Sequence, residues 1–133
     1  MSSRDINDLD PRFKPFADKF LTACASQNFQ VLIYCTYRSP DEQAALYAQG
    51  RTAPGHIVTN APPLQSAHNF GLAFDGCPTI YGKPLWDEAL NGSHWVMYGA
   101  IARLVGMEWG GDWATFREGP HCQLPNWKSL IHP

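Results

Sequence analysis

Ser66-Ala67-His68-Asn69-Phe70-Gly71-Leu72-Ala73-Phe74-Asp75 constrains the fold more than any other stretch of this chain. It holds an imidazole and a carboxylate seven residues apart, and a second imidazole follows at His121, three residues after Glu118. Two imidazoles and a carboxylate are the ligand set of a catalytic zinc that keeps its fourth position open, with Glu118 free to act as a base. Fully extended, residues 68 and 75 would stand roughly 23 Å apart at about 3.3 Å per residue. Ligands of one zinc lie only about 3–3.5 Å from each other. The chain must therefore turn back between them, and Gly71 is the residue that permits it. Asp75 is then expected in or at the end of a strand, with the small Gly71 and Ala73 beside it. His121 is expected to arrive from a later strand, its approach stiffened by Pro120.

A chain of 133 residues suits one domain with its own core, spanning 1–133. Apolar residues at 44% and charged residues at 17% give a globular composition rather than a disordered one. A net charge of −2 argues against a nucleic-acid partner, because a phosphate-binding surface leaves a basic imprint on its domain. No apolar run approaches the roughly 20 residues that span a bilayer, so no stable membrane association is expected. The N-terminal residues carry no continuous apolar core of a secretory signal, which predicts accumulation in the cytoplasm that makes the chain. Cys24, Cys35, Cys77 and Cys122 are scattered without paired spacing and are expected as reduced thiols, mostly in the core. Of these, Cys122 adjoins His121 and is the one thiol placed by the sequence to approach the site. The chain is expected to be a monomer, without repeats, a linker or an appended binding module.

Leu9, Phe13, Phe16, Ala17, Phe20, Leu21 and Cys24 recur at spacings of three and four, which predicts an amphipathic helix over residues 10–26 with Asp10 and Pro11 at its start. Residues 30–36 are short, β-branched and aromatic, as a buried strand requires. Ser39-Pro40-Asp41-Glu42 reads as a capping box opening a helix that runs to about Gln49 and stops at Gly50. Residues 51–65 lack periodicity and form a loop long enough to be functional. A strand over 72–77 and a hairpin over 80–86 follow. Ser93 is expected to cap a helix carrying Trp95, Val96, Ala100, Ile101, Leu104 and Val105, ended by Gly106. Short strands at 107–109 and 121–124 flank the Gly110-Gly111 turn. Helices at both ends of non-alternating strands predict a single α+β domain with a small antiparallel sheet.

Each candidate residue has an ordinary reading when taken alone. His68 would be a satisfied core residue, Asp75 a turn residue before Gly76-Cys77-Pro78, Glu118 a solvated charge and Arg38 a surface ion-pair partner. Together they form a coherent set. Glu118 can take a proton from a metal-activated water and pass it to a leaving amine. Arg38, where strand meets capped helix, can donate to a carbonyl oxygen as it becomes an oxyanion.

Ser66-x-His68-x-x-Gly71-x-Ala73-x-Asp75 resembles the signature of the zinc peptidases that include D-alanyl-D-alanine carboxypeptidases, D-alanyl-D-alanine dipeptidases and phage L-alanyl-D-glutamate endopeptidases. Tyr37-Arg38-Ser39 with Gln43, Gly50-Arg51-Thr52-x-Pro54-Gly55 with Val58-Thr59-Asn60, and Glu108-Trp109-Gly110-Gly111-Asp112-Trp113 resemble the phage-type members. The similarity runs from about residue 30 to 124. The resemblance implies a hedgehog/DD-peptidase-like fold, zinc on His68, Asp75 and His121, Glu118 as catalytic base and Arg38 stabilising the transition state. Phage-type members more usually carry aspartate at the Glu118 position, whereas dipeptidase relatives carry glutamate. Ser66 is expected to orient the site through a hydrogen bond, and Asp112 to steady a ligand histidine. Arg51 is a candidate receiver of a substrate carboxylate. Trp109 and Trp113 are expected in the core or the cleft wall. His56, His94 and His132 are expected outside the machinery. The implied substrate is the peptidoglycan stem peptide, cut between L-alanine and D-glutamate by an enzyme stored in a host bacterial cytoplasm until the membrane is opened. Two alternatives stand beside it: a D,D-carboxypeptidase that releases terminal D-alanine, and a non-catalytic zinc-bearing domain that binds the wall.

Overall fold

The computed structural model describes residues 2–131, so His132 lies outside the described residues. Its centre is strand β2, Ala73–Ile80, buried along residues 73–78. β1 (Val31–Cys35) pairs antiparallel with one side of β2, and β5 (His121–Gln123) pairs antiparallel with the other. β4 (Glu108–Trp109) adds to β5, giving the order β1-β2-β5-β4. The two-residue β3 (Lys83–Pro84) folds back on the far end of β2. This is the α+β domain with an antiparallel sheet that the element pattern predicts.

Side chains alternate across a strand, so β2 serves two faces. Phe74 points to the helical layer, where its ring lies 5.3 Å from Phe20 and 6.1 Å from Phe13. Phe20, on α1 (Lys14–Ser26), meets Tyr98, on α3 (Ser93–Leu104), edge to face at 5.2 Å. All four rings are fully buried, and burial of each such side chain contributes about 2–3 kcal/mol. Asp75, the next residue of β2, faces the opposite way, into the cleft.

The helix ends differ in detail from the sequence expectation. α1 begins at Lys14, not near Asp10, because residues 11–13 form a separate turn. Asp10 Oδ1 accepts from Arg12 N at 2.8 Å, and the Asp10 carbonyl accepts from Phe13 N and Lys14 N. α2 (Pro40–Ala48) opens as predicted, with Ser39 Oγ accepting from Glu42 N at 3.1 Å. α3 is capped from a distance. Gly92 is its N-cap, Ser93 is already helical, and the Glu88 carboxylate accepts from His94 N at 3.0 Å and Trp95 N at 3.1 Å. The inward face of α3 is Trp95, Tyr98, Ile101 and Ala102, whereas Leu104 is 79% exposed. Tyr98 takes the central place because its hydroxyl donates to the Pro120 carbonyl at 2.7 Å. A final short helix, α4 (Trp127–Ile131), has no counterpart in the sequence reading.

Candidate active site

Ser66 Oγ accepts from His68 N and caps a single 3-10 turn, Ala67–Phe70, which carries His68. Gly71 ends that turn at φ +69°, and a Cβ there would stand 2.7 Å from Asp10 N. The required reversal of the chain is therefore made at Gly71, and β2 starts two residues later. Register does the rest. Asp75 is paired with Cys35 on β1 and with His121 on β5. A bulge between Ile33 and Cys35 shifts the β1 register beside the site.

His68 Nε2 lies 3.1 Å from Asp75 Oδ1, and His121 Nδ1 lies 3.2 Å from the same oxygen. The outer nitrogens decide what this means. His68 Nδ1 is 2.7 Å from the Thr36 carbonyl, which can only accept, so Nδ1 carries the hydrogen. Gln123 Nε2 donates to Glu108 Oε2 at 2.9 Å, which turns Gln123 Oε1 toward His121 Nε2 at 2.7 Å. That nitrogen is therefore a donor too. Both inner nitrogens then present lone pairs to one carboxylate oxygen, a contact held together only by positive charge between them. Protons satisfy this demand, and so does a metal cation. Burial disfavours the His68 imidazolium, but the Asp75 carboxylate overrides it and raises the pKa to about 10. Burial would raise the Asp75 carboxyl, yet the two histidines hold it well below its ordinary range. Cys35, His68 and Asp75 offer donor atoms within 4.8 Å of one another, and His121 Nδ1 reaches the same Asp75 oxygen, so the cluster supplies nitrogen, oxygen and sulfur donors of the kinds that suit zinc.

Around this cluster lies an open cleft of about 1150 Å³, walled by the 57–62 loop, Trp113, Phe116, Glu118 and Trp127. The Glu118 carboxylate makes no hydrogen bond or ion pair among the described residues. Burial pushes its pKa above the usual value, with His121 acting in the opposite direction. Its backbone is pinned, since Glu118 N donates to the Gly110 carbonyl at 3.1 Å and its carbonyl accepts from His121 N. A Cβ on Gly110 would stand 2.4 Å from the Glu118 oxygen, so the glycine allows the close approach. Arg38 reaches Asp75 Oδ2 at 3.7 Å while Nη1 donates to Gln43 Oε1 at 3.0 Å and Nη2 to Cys35 Sγ at 3.3 Å.

Two expectations are corrected. Asp112 steadies no histidine among the described residues: its carboxylate takes the Arg103 guanidinium at 2.7 and 3.1 Å on the surface. Arg51 donates to the Tyr47 and Thr59 carbonyls and lies over the Tyr47 ring, on the loop that walls the cleft. Cys122 points to the helical layer, 3.7 Å from the Tyr98 hydroxyl, because residues adjacent in a strand face opposite ways. The thiol near the site is Cys35, 3.7 Å from His68 Nδ1. All four cysteines are free and buried, as expected. Trp109 is a core residue, its Nε1 donating to the Gly119 carbonyl at 2.6 Å, whereas Trp113 lines the cleft over the His121 ring. His56 is exposed, and His94 is engaged by Glu88 at 2.8 Å. Cys35, Gln43 and Gln123 were missed as site residues. Gln123 had a readable signal, since it lies two places after His121 and thus on the same strand face.

Residues 59–124 match a protein family described as D-alanyl-D-alanine carboxypeptidase. The chain is 41% identical over 127 residues to the peptidoglycan L-alanyl-D-glutamate endopeptidase CwlK of Bacillus subtilis, covering 90% of this chain and 76% of that protein. It is 32% identical over 123 residues to an L-alanyl-D-glutamate peptidase of a Listeria phage, covering 92% of this chain and 40% of that protein. The fold is that of the Serratia marcescens L-Ala D-Glu endopeptidase ChiX, with a TM-score of 0.62 at 22% identity, covering 93% of this chain and 88% of that one. The chain thus belongs to the D-alanyl-D-alanine carboxypeptidase family of peptidases, in which its relatives include L-alanyl-D-glutamate endopeptidases.

Proposed function

We propose that this protein is a zinc-dependent peptidoglycan endopeptidase that hydrolyses the L-alanyl–D-glutamate bond of the stem peptide. The observation that carries the reading is the convergence of His68 Nε2 and His121 Nδ1 on one Asp75 oxygen, with the unpaired Glu118 carboxylate in the same cleft. The bond assigned follows the names of the two relatives. His68, Asp75 and His121 would hold the zinc. When bound, that ion would supply Lewis acidity, polarising a carbonyl and making water acidic enough to lose a proton near neutral pH. Glu118 accepts the proton of the attacking water, and its raised pKa suits a group that must later return it. Arg38, braced by Gln43 and Cys35, donates to the carbonyl oxygen as charge develops there. Glu118 then delivers the proton to the leaving nitrogen, which departs as the amine of D-glutamate. A lytic role, with the enzyme stored in a host bacterial cytoplasm, belongs to the same proposal, and lysis only after membrane permeabilisation is the outcome that supports it.

Digestion of purified peptidoglycan followed by mass spectrometry tests the bond. New D-glutamate amino termini support the proposal, and released D-alanine would point to carboxypeptidase action instead. Glu118→Ala separates catalysis from mere binding. The variant is expected to retain one zinc per chain while hydrolysis falls by about 10² to 10⁴-fold. Undiminished hydrolysis in the variant would remove Glu118 from its role.

A further inference from the structure

Glu108 contributes nothing to the cluster directly, yet one of its oxygens is shared by two groups that do. Glu108 Oε2 accepts from Gln123 Nε2 at 2.9 Å and from Trp113 Nε1 at 2.8 Å. Gln123 in turn presents Oε1 to His121 Nε2 at 2.7 Å, and the Trp113 ring lies 5.2 Å from the His121 ring. The pairing of β4 with β5 sets Glu108 opposite Gln123, so the contact is built into the sheet. An amide alone does not choose a tautomer for its neighbour, because its two ends are a donor and an acceptor of nearly equal size. The anionic Glu108 oxygen makes the choice. It draws the NH₂ end of Gln123 to itself and leaves only the acceptor end for His121. His121 must then hold its hydrogen on Nε2 and keep the Nδ1 lone pair aimed at Asp75 Oδ1.

We propose that Glu108 and Gln123 are positioning residues that fix the tautomer and ring orientation of His121 for metal binding, and that through Trp113 the same carboxylate holds the adjoining cleft wall to that ligand. This rests on His121 being a zinc ligand, the reading given above.

Zinc affinity, measured by competition with a chromophoric chelator, provides a readout independent of catalysis. Gln123→Leu removes the acceptor for His121 Nε2 and should weaken zinc binding by about 10 to 100-fold. Glu108→Gln combined with Gln123→Glu reverses the donor and acceptor between the two positions and still offers His121 an oxygen. That double variant should recover most of the affinity that Gln123→Glu alone loses by setting two carboxylates together. A purely packing role predicts no recovery. Imidazole ¹H and ¹⁵N signals of His121 in metal-free protein report the hydrogen on Nε2 without any ion and remain informative if a substitution lowers stability. A hydrogen-bonded, exchange-protected Nε2–H is expected in the wild type and the double variant, whatever Nδ1 carries, and its loss is expected in Gln123→Leu. Gln123→Leu binding zinc within twofold of the wild type, or an unchanged Nε2–H signal, would overturn the inference. A wild type that binds zinc but cuts a different bond would defeat the functional reading alone.

Discussion

Arg38 is held by donors from all three of its nitrogens: Nε to Ser2 Oγ at 3.4 Å, Nη1 to Gln43 Oε1 and Nη2 to Cys35 Sγ. Each Nη nitrogen has a second hydrogen, so a braced guanidinium can still present donors to the cleft. Gln43 is wholly buried, and its amide donates to the Ala61 carbonyl at 2.7 Å, tying Arg38 to the 51–65 loop that walls the cleft. Lysine keeps the charge but loses this fork and its bracing. Arg38→Lys is therefore expected to lower kcat by about 10² to 10³-fold, as loss of an oxyanion donor does, while zinc content stays unchanged. Steady-state kinetics on a stem-peptide substrate, beside metal analysis, checks this. A kcat within a few-fold of the wild type would place Arg38 outside the transition state.

At the scale of elements, the start of α3 depends on a residue five positions before it. Glu88 satisfies two amide hydrogens of the first turn and pairs with His94 Nδ1. Glu88→Ala should cost about 1 kcal/mol, the usual effect of losing a cap. Burial raises the Glu88 pKa, but the hydrogen bonds from the His94 ring and the His94 and Trp95 amides, with the charge of His94, together outweigh it and hold the folded value below the ordinary one. A carboxyl depressed in the folded state stabilises above its unfolded pKa, near 4.5, and loses that contribution as pH falls through the lower folded value. Urea unfolding should therefore separate wild type from variant at pH 7, with the gap closing as pH falls below about 4. A gap independent of pH would assign the effect to packing alone. The register of β2 matters more for function than any cap. It sets Cys35, Asp75 and His121 in one row across three strands, and a slip of one residue would send Asp75 into the helical layer.

For the whole molecule, metal and stability are linked because the proposed ligands come from separate parts of the chain, a 3-10 turn, β2 and β5. An unfolded chain offers no such assembled site, so zinc should stabilise the folded state by about 4 kcal/mol at a thousandfold excess over its Kd. Thermal unfolding should then rise by roughly 10 °C on zinc addition and fall back with a chelator. A transition indifferent to both would contradict the metal assignment. The sequence by itself determined what is local. The residue types of the proposed ligands and the return at Gly71 were legible because residues 66–75 carry their own turn chemistry, and α1 and the Ser39 cap because helical periodicity and capping act within a few residues. The antiparallel α+β class followed from the order of such segments. Tertiary structure decided what depends on pairing between distant residues. Strand register set Cys35 beside His68 and turned Cys122 away, although Cys122 is the neighbour of His121 in the chain. Packing around Tyr98 chose the inward face of α3, and a carboxylate from β4 oriented the amide that faces His121. Hydrogen-bond direction and strand register arise only when separate segments meet, so no local pattern encodes them.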